Sequence, residues 1–156
     1  MGRRSIRMKL MTILLTGLAV FVVGCQSEVV TIGAVLPLTG DAAAYGQAVQ
    51  KGMELALEQI KAESEDFQLE LNVVDTQSDP NKANALLKEQ YSNGALAAIG
   101  GVTSGEAKQM IEVVDRYDRI LLSPTASGPD LTGISRNFYR IFPSDHTAAI
   151  LLRLRR

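Results

Sequence analysis

The chain has 156 residues, 46% of them apolar, which is enough to bury one ordinary core and no more. The formal charge of −1 hides an asymmetry: Arg3, Arg4, Arg7 and Lys9 precede any acid, and without them 12 bases face 17 acids, about −5. That balance excludes a basic nucleic-acid-binding surface, and a single cysteine leaves no partner for a disulfide.

The basic start leads into Leu10 to Gly24, fifteen residues without a charge, and then Cys25. A positive n-region, an apolar h-region and a small residue before the cleavage point make an export signal, and the run is too short to span a membrane. Val22-Val23-Gly24-Cys25 resembles a bacterial lipobox, whose cysteine is lipidated and becomes the first mature residue. Gln26 after it leans towards an outer-membrane destination in Gram-negative families, and Met8 offers an alternative start. The expected organisation is a lipoprotein signal peptide over 1–24, a lipidated N-terminus and short linker over 25–28, and one domain over 29–156.

Strands and helices then alternate. Val29 to Leu36 is a near-continuous apolar run with β-branched residues, the pattern of a strand buried on both faces. Pro37, Gly40 and Gly46 break it, and from about Tyr45 to Ala62 the stripe Val49, Met53, Ala56, Ile60 predicts a helix. Gln68 to Asp75 reads as a second strand, with Leu69, Leu71 and Val73 on one side, and DTQSDP, Asp75 to Pro80, as a turn-rich loop. Ala83, Leu86, Leu87, Gln90 and Tyr91 predict the next helix, closed by Asn93-Gly94. Ala97 to Ile99 is a third short strand, ended by Gly100 and Gly101. Thr103 or Ser104 caps a helix whose buried face carries Ala107, Met110, Ile111 and Val114. Ile120 to Leu122 predicts a fourth strand, Ser123 to Gly133 a long loop, and Phe138 to Phe142 a fifth strand.

This alternation predicts an α/β fold with a doubly wound parallel sheet and right-handed crossovers. In the flavodoxin-like order 2-1-3-4-5 the first and third strands flank the switch point, where open sheets bind ligands beyond their carboxyl ends. The loops there, Pro37 to Gly46 and Gly100 to Gly105, with Ser123 to Gly128 alongside, are the richest in Gly, Ser and Thr. They offer backbone amides, hydroxyls and a helix N-terminus, a ready site for a carboxylate, and almost no titrating groups. That composition suits holding a small polar molecule better than transforming one.

Enzyme signatures fail. Gly100 to Gly105 has phosphate-loop spacing, but Glu106-Ala107 stands where Lys and Ser or Thr are needed. A nucleophile elbow around Ser104 needs glycine where Val102 stands. The sole imidazole, His146, reads as a surface or capping residue at a helix start, and Asp75, Asp79 and Asp115 as solvated turn or helix-end aspartates rather than a metal or phospho-acceptor cluster. The chain is therefore expected to be a non-enzyme without cofactor or metal.

The series IGAVLPLTGDAAAYGQAVQKGMELALEQI, DTQSDPNKA, AAIGGVTSGEA, ILLSPTASGPDL and FYRIFPSD, behind an export signal, resembles the substrate-binding proteins of branched-chain amino-acid ABC transporters. This is the type I periplasmic binding fold, also called the extracellular ligand-binding receptor family, and the resemblance runs from Val29 to about Ala149. It implies that Ser104 holds a ligand carboxylate by hydroxyl and amide, that Thr125 turns a backbone carbonyl to the ammonium, and that Ser127 touches both ends of the zwitterion. Thr103 and Val102 line the same pocket, and Tyr45 packs over the ligand side chain. The implied partners are leucine, isoleucine, valine or a similar amino acid, the permease and ATPase subunits of an importer, and a membrane reached through a lipid anchor at Cys25, in the periplasm or at the cell surface. The alternative on the same fold is a sensor or regulator domain binding amides or related polar solutes.

The family's chains continue into a second lobe that supplies an acidic partner for the ammonium. This sequence stops at LLRLRR, Leu151 to Arg156, where the crossing would begin. The expectation is therefore a first lobe alone, a truncated form with impaired binding.

Overall fold

In the computed structural model, which describes residues 29–63 and 68–154, the β-branched run Val29–Leu36 forms the interior strand β1. The expected signal peptide, Cys25 and the linker lie outside the described residues. On one edge β1 pairs in parallel with β2 (Gln68–Asp75), from Val29 opposite Gln68 to Leu36 opposite Asp75. On the other it pairs with β3 (Ala97–Gly100), Ile32 opposite Ala97. Beyond β3 lie β4 (Leu121–Ser123) and β5 (Phe138–Arg140), also parallel, so the order is 2-1-3-4-5 as expected. The crossovers are α1 (Ala43–Glu63), α2 (Pro80–Ser92) and α3 (Ser104–Tyr117), followed by a short 3-10 helix (Pro129–Leu131) and α4 (Asp145–Leu154).

Successive side chains of a strand point to opposite faces, and β1 sorts its residues accordingly. Val35 joins the larger core, where α2 contributes Ala83, Leu87 and Tyr91 and α3 contributes Ala107, Met110, Ile111 and Val114. Ala34 and Leu36 face the other way, into a smaller core with Val102 and, from α1, Val49 and Met53. A strand buried on both sides has no polar face, which is why β1 read as an apolar run rather than an alternation.

Boundaries shift where long-range bonds intervene. The fourth strand takes in Ser123, whose hydroxyl donates to the Gly101 carbonyl at 2.7 Å, and leaves out Ile120, which is half exposed. The fifth strand stops at Arg140, two residues before Phe142: the Ile141 amide makes a last bond to the Ser123 carbonyl at 3.0 Å before the chain leaves the sheet for α4. Helix α1 starts two residues earlier than Tyr45. At 21 residues it is about 31 Å long, against about 26 Å for an eight-residue strand. Ile60 near its end accordingly lies exposed instead of completing the expected stripe.

Candidate functional site

The switch point between β1 and β3 is built by chain punctuation. Gly101, at φ +63°, turns the backbone out of β3 where a side chain would collide with Ala107 at 2.9 Å or less. Two residues later Thr103, in extended conformation, caps α3: its hydroxyl accepts the Glu106 N–H at 3.2 Å while the Glu106 carboxyl accepts the Thr103 N–H at 3.2 Å. Of the two candidates for the cap, Thr103 is the one used. Ser104 is thereby the first helical residue, and its amide and that of Gly105 have no acceptor within the helix. Both lie at the positive end of the helix dipole.

Around this helix start the structure brings all six expected residues together: Tyr45, Val102, Thr103, Ser104, Thr125 and Ser127 line one cleft of about 240 Å³. Apart from the Tyr45 phenol none of these side chains is ionisable, and Tyr45 itself stands 65% exposed at the mouth. The neighbouring loops are stitched together by the same hydroxyls. Thr125 donates to the Val102 carbonyl at 2.5 Å, and Ser104 Oγ accepts the Gly128 amide at 3.0 Å. Ser127 donates to Asp145 Oδ2 at 3.1 Å, leaving its oxygen lone pairs for a donor in the cleft. Ser123, fully buried beneath, accepts the Ala126 amide and so shapes the turn that carries Thr125.

Two carboxylates took on more than sequence reasoning assigned. Asp75 is not a solvated turn residue: Oδ1 accepts the amides of Leu38, Thr39 and Gln77 at 2.8–3.1 Å and Oδ2 the Thr39 hydroxyl at 2.7 Å. These bonds clamp the loop between β1 and α1. Partial burial pushes the Asp75 pKa up, but the Thr39 hydroxyl and the three amides outweigh it and hold the carboxyl below its ordinary value. Asp145, at the start of α4, puts a negative charge beside Ser127 from eighteen residues away. Its only sequence signal was the acidic first turn of a helix. By contrast Asp79 has a local role as the cap of α2, and Asp115, on α3, accepts the Ser135 hydroxyl from twenty residues away. Among the described residues no group of three or more His, Cys, Asp or Glu side chains is placed to hold a metal ion. His146 is exposed on the first turn of α4.

A larger apolar concavity of about 480 Å³ runs along α4, with Ala148, Leu151, Leu152 and Leu154 as its lining among the described residues. Those four side chains carry no hydrogen-bonding group, so the polar cleft remains the candidate for a small hydrophilic ligand.

Residues 29–152 match the family described as periplasmic binding protein. A Leu/Ile/Val-binding protein homolog of Brucella melitensis is 33% identical over 105 residues, 66% of this chain and 28% of that protein. A leucine-, isoleucine-, valine-, threonine- and alanine-binding protein of Pseudomonas aeruginosa is 27% identical over 118 residues, 74% of this chain and 31% of that one. This chain thus spans less than a third of the length of these relatives. Among solved structures, a leucine-binding protein from Thermotoga maritima superposes with a TM-score of 0.73 at 24% identity, over 80% of this chain and 36% of that one. At that identity the likeness is one of fold.

Proposed function

The chain belongs to the periplasmic binding protein family, and on that premise we propose that it is the first lobe of an extracytoplasmic solute-binding protein that captures amino acids, most of all branched-chain ones, for an ABC importer. One observation carries the proposal: Ser104, Thr125 and Ser127, with Thr103, Val102 and Tyr45, converge on one cleft at the carboxyl edge of β1 and β3. Relatives named for leucine, isoleucine and valine binding support the choice of ligand class. In this reading the Ser104 hydroxyl and the first amides of α3 take the ligand's carboxylate, where the helix dipole favours negative charge. The Thr125 carbonyl and the Ser127 oxygen take the ammonium, and Tyr45 closes over the side chain. The cleft holds hydroxyls, amides and one phenol, a set that binds a zwitterion and leaves it unchanged. Cys25 is the lipid attachment point, and the protein works anchored at the membrane outside the cytoplasm.

These 156 residues supply one wall of the site, so a bound amino acid keeps part of its hydration and gains little from desolvation. Isothermal titration calorimetry of the purified chain with L-leucine is expected to give weak binding, at the millimolar scale. Ser104→Ala is expected to weaken it about tenfold or more, since a hydrogen bond to a charged group is worth about 1.5–3 kcal/mol. Micromolar affinity in the unmodified chain would overturn the one-wall argument. Equal binding by Ser104→Ala would remove Ser104 from the site.

A further inference from the structure

Glu106 is fully buried behind the cleft, and among the described residues its side chain is held by neutral groups alone. The Thr76 hydroxyl donates to Oε1 at 2.5 Å, while the amide and hydroxyl of Thr103 approach Oε2 at 3.2 and 3.3 Å. Burying an acid without a cationic partner is costly, and an ordinary capping box does not require it, because its glutamate usually sits at the surface. What burial adds here is reach: Thr76 lies 30 residues away, on the loop after β2. That loop is itself bonded to the other side of the switch point. The Thr76 amide donates to the Leu36 carbonyl at 2.9 Å, and the Ser78 hydroxyl donates to the Thr39 carbonyl at 2.9 Å and accepts the Ala42 amide at 3.1 Å. The Ser78 amide in turn donates to Thr76 Oγ1 at 3.3 Å. A continuous path of bonds therefore joins the loop that presents Ser104 to the loop that leads to Tyr45, and among the described residues Glu106 is its side-chain link into α3.

We propose that Glu106 is a positioning residue for the cleft: by tying Thr76 to Thr103 it fixes the start of α3, and with it Ser104, against the two loops on the far side of the switch point. The proposal rests on reading the cleft as the ligand site, but the tie is measurable without ligand. Thr76→Val removes the cross-loop bond and leaves the capping box whole, which separates positioning from local capping.

The test uses the full 156-residue chain, 15N-labelled, with amide hydrogen exchange followed residue by residue. Thr76→Val and Glu106→Ala are each expected to raise exchange at Thr103 tenfold or more, while Val113 and Val114 in the middle of α3 stay within twofold. Glu106→Gln is expected to stay within threefold of the parent at Thr103, since its amide can donate to the Thr76 oxygen and its carbonyl can accept the Thr103 N–H. Exchange at Thr103 within twofold of the parent in Thr76→Val would overturn the proposal, leaving only a local cap. So would Glu106→Gln behaving like an unlinked loop, or a rise spread evenly over α3. Should Glu106→Ala not fold, the other two variants decide the matter. An L-leucine titration watched at the Ser104 amide runs alongside. If that amide does not move in the parent chain, the ligand reading fails, while the exchange data still decide whether the tie exists.

Discussion

At the scale of single residues, Asp75 shows how a turn aspartate becomes a clamp. Its carboxyl is held below the ordinary value by four donated bonds that exist only when the loop is folded. A depressed folded pKa means that the stabilisation is fully present above the unfolded value, about 3.9, and is lost as pH falls through the folded one. Protection of the Leu38 and Thr39 amides is therefore expected to hold from neutral pH down past the unfolded value of about 4 and to be lost only as pH falls through the lower folded pKa. In Asp75→Asn that protection should be low throughout. Protection factors from NMR exchange across that range check both statements, and loss of protection in the parent chain well above pH ~4 would contradict the sign. The Ser104 and Thr125 hydroxyls each make one bond to a neighbouring loop, and the Ser127 hydroxyl makes one to Asp145.

At the scale of elements, α3 is the best-specified unit. Thr103 and Glu106 cap it, and Ala107, Met110, Ile111 and Val114 give it one continuous buried face. Thr103→Ala removes the acceptor for the Glu106 amide and is expected to cost about 0.5–2 kcal/mol in urea unfolding. The opposite case is α4. It is amphipathic in sequence, yet none of its residues is buried, and Ile150, Leu151, Leu152 and Leu154 are 46–77% exposed. A helix of ten residues without a packed face is marginal in water, since most helical stability comes from tertiary packing.

At the scale of the whole molecule, stability is concentrated where β1 lies between two cores. Leu87 is fully buried in the larger one and Leu152 is 68% exposed. Leu87→Ala is expected to cost about 2–5 kcal/mol, and Leu152→Ala to change stability by no more than about 0.5 kcal/mol. Denaturant midpoints of the two variants make the comparison. Equal costs would show that α4 is packed in solution.

The sequence by itself determined the succession of strands and helices and their parallel arrangement, which follow from period and turn chemistry written within a few residues of one another, while the six residues around the cleft were named by the resemblance of its motif series to a known family. Only the tertiary structure decided what Asp75, Glu106 and Asp145 do, where β4 and β5 end, and that α4 lacks a buried face. Each of these depends on partners 18 to 37 residues away, or on how much sheet lies beneath a helix. A buried carboxyl that bonds across loops has the same local signature as a capping glutamate on the surface, and folding alone tells the two apart.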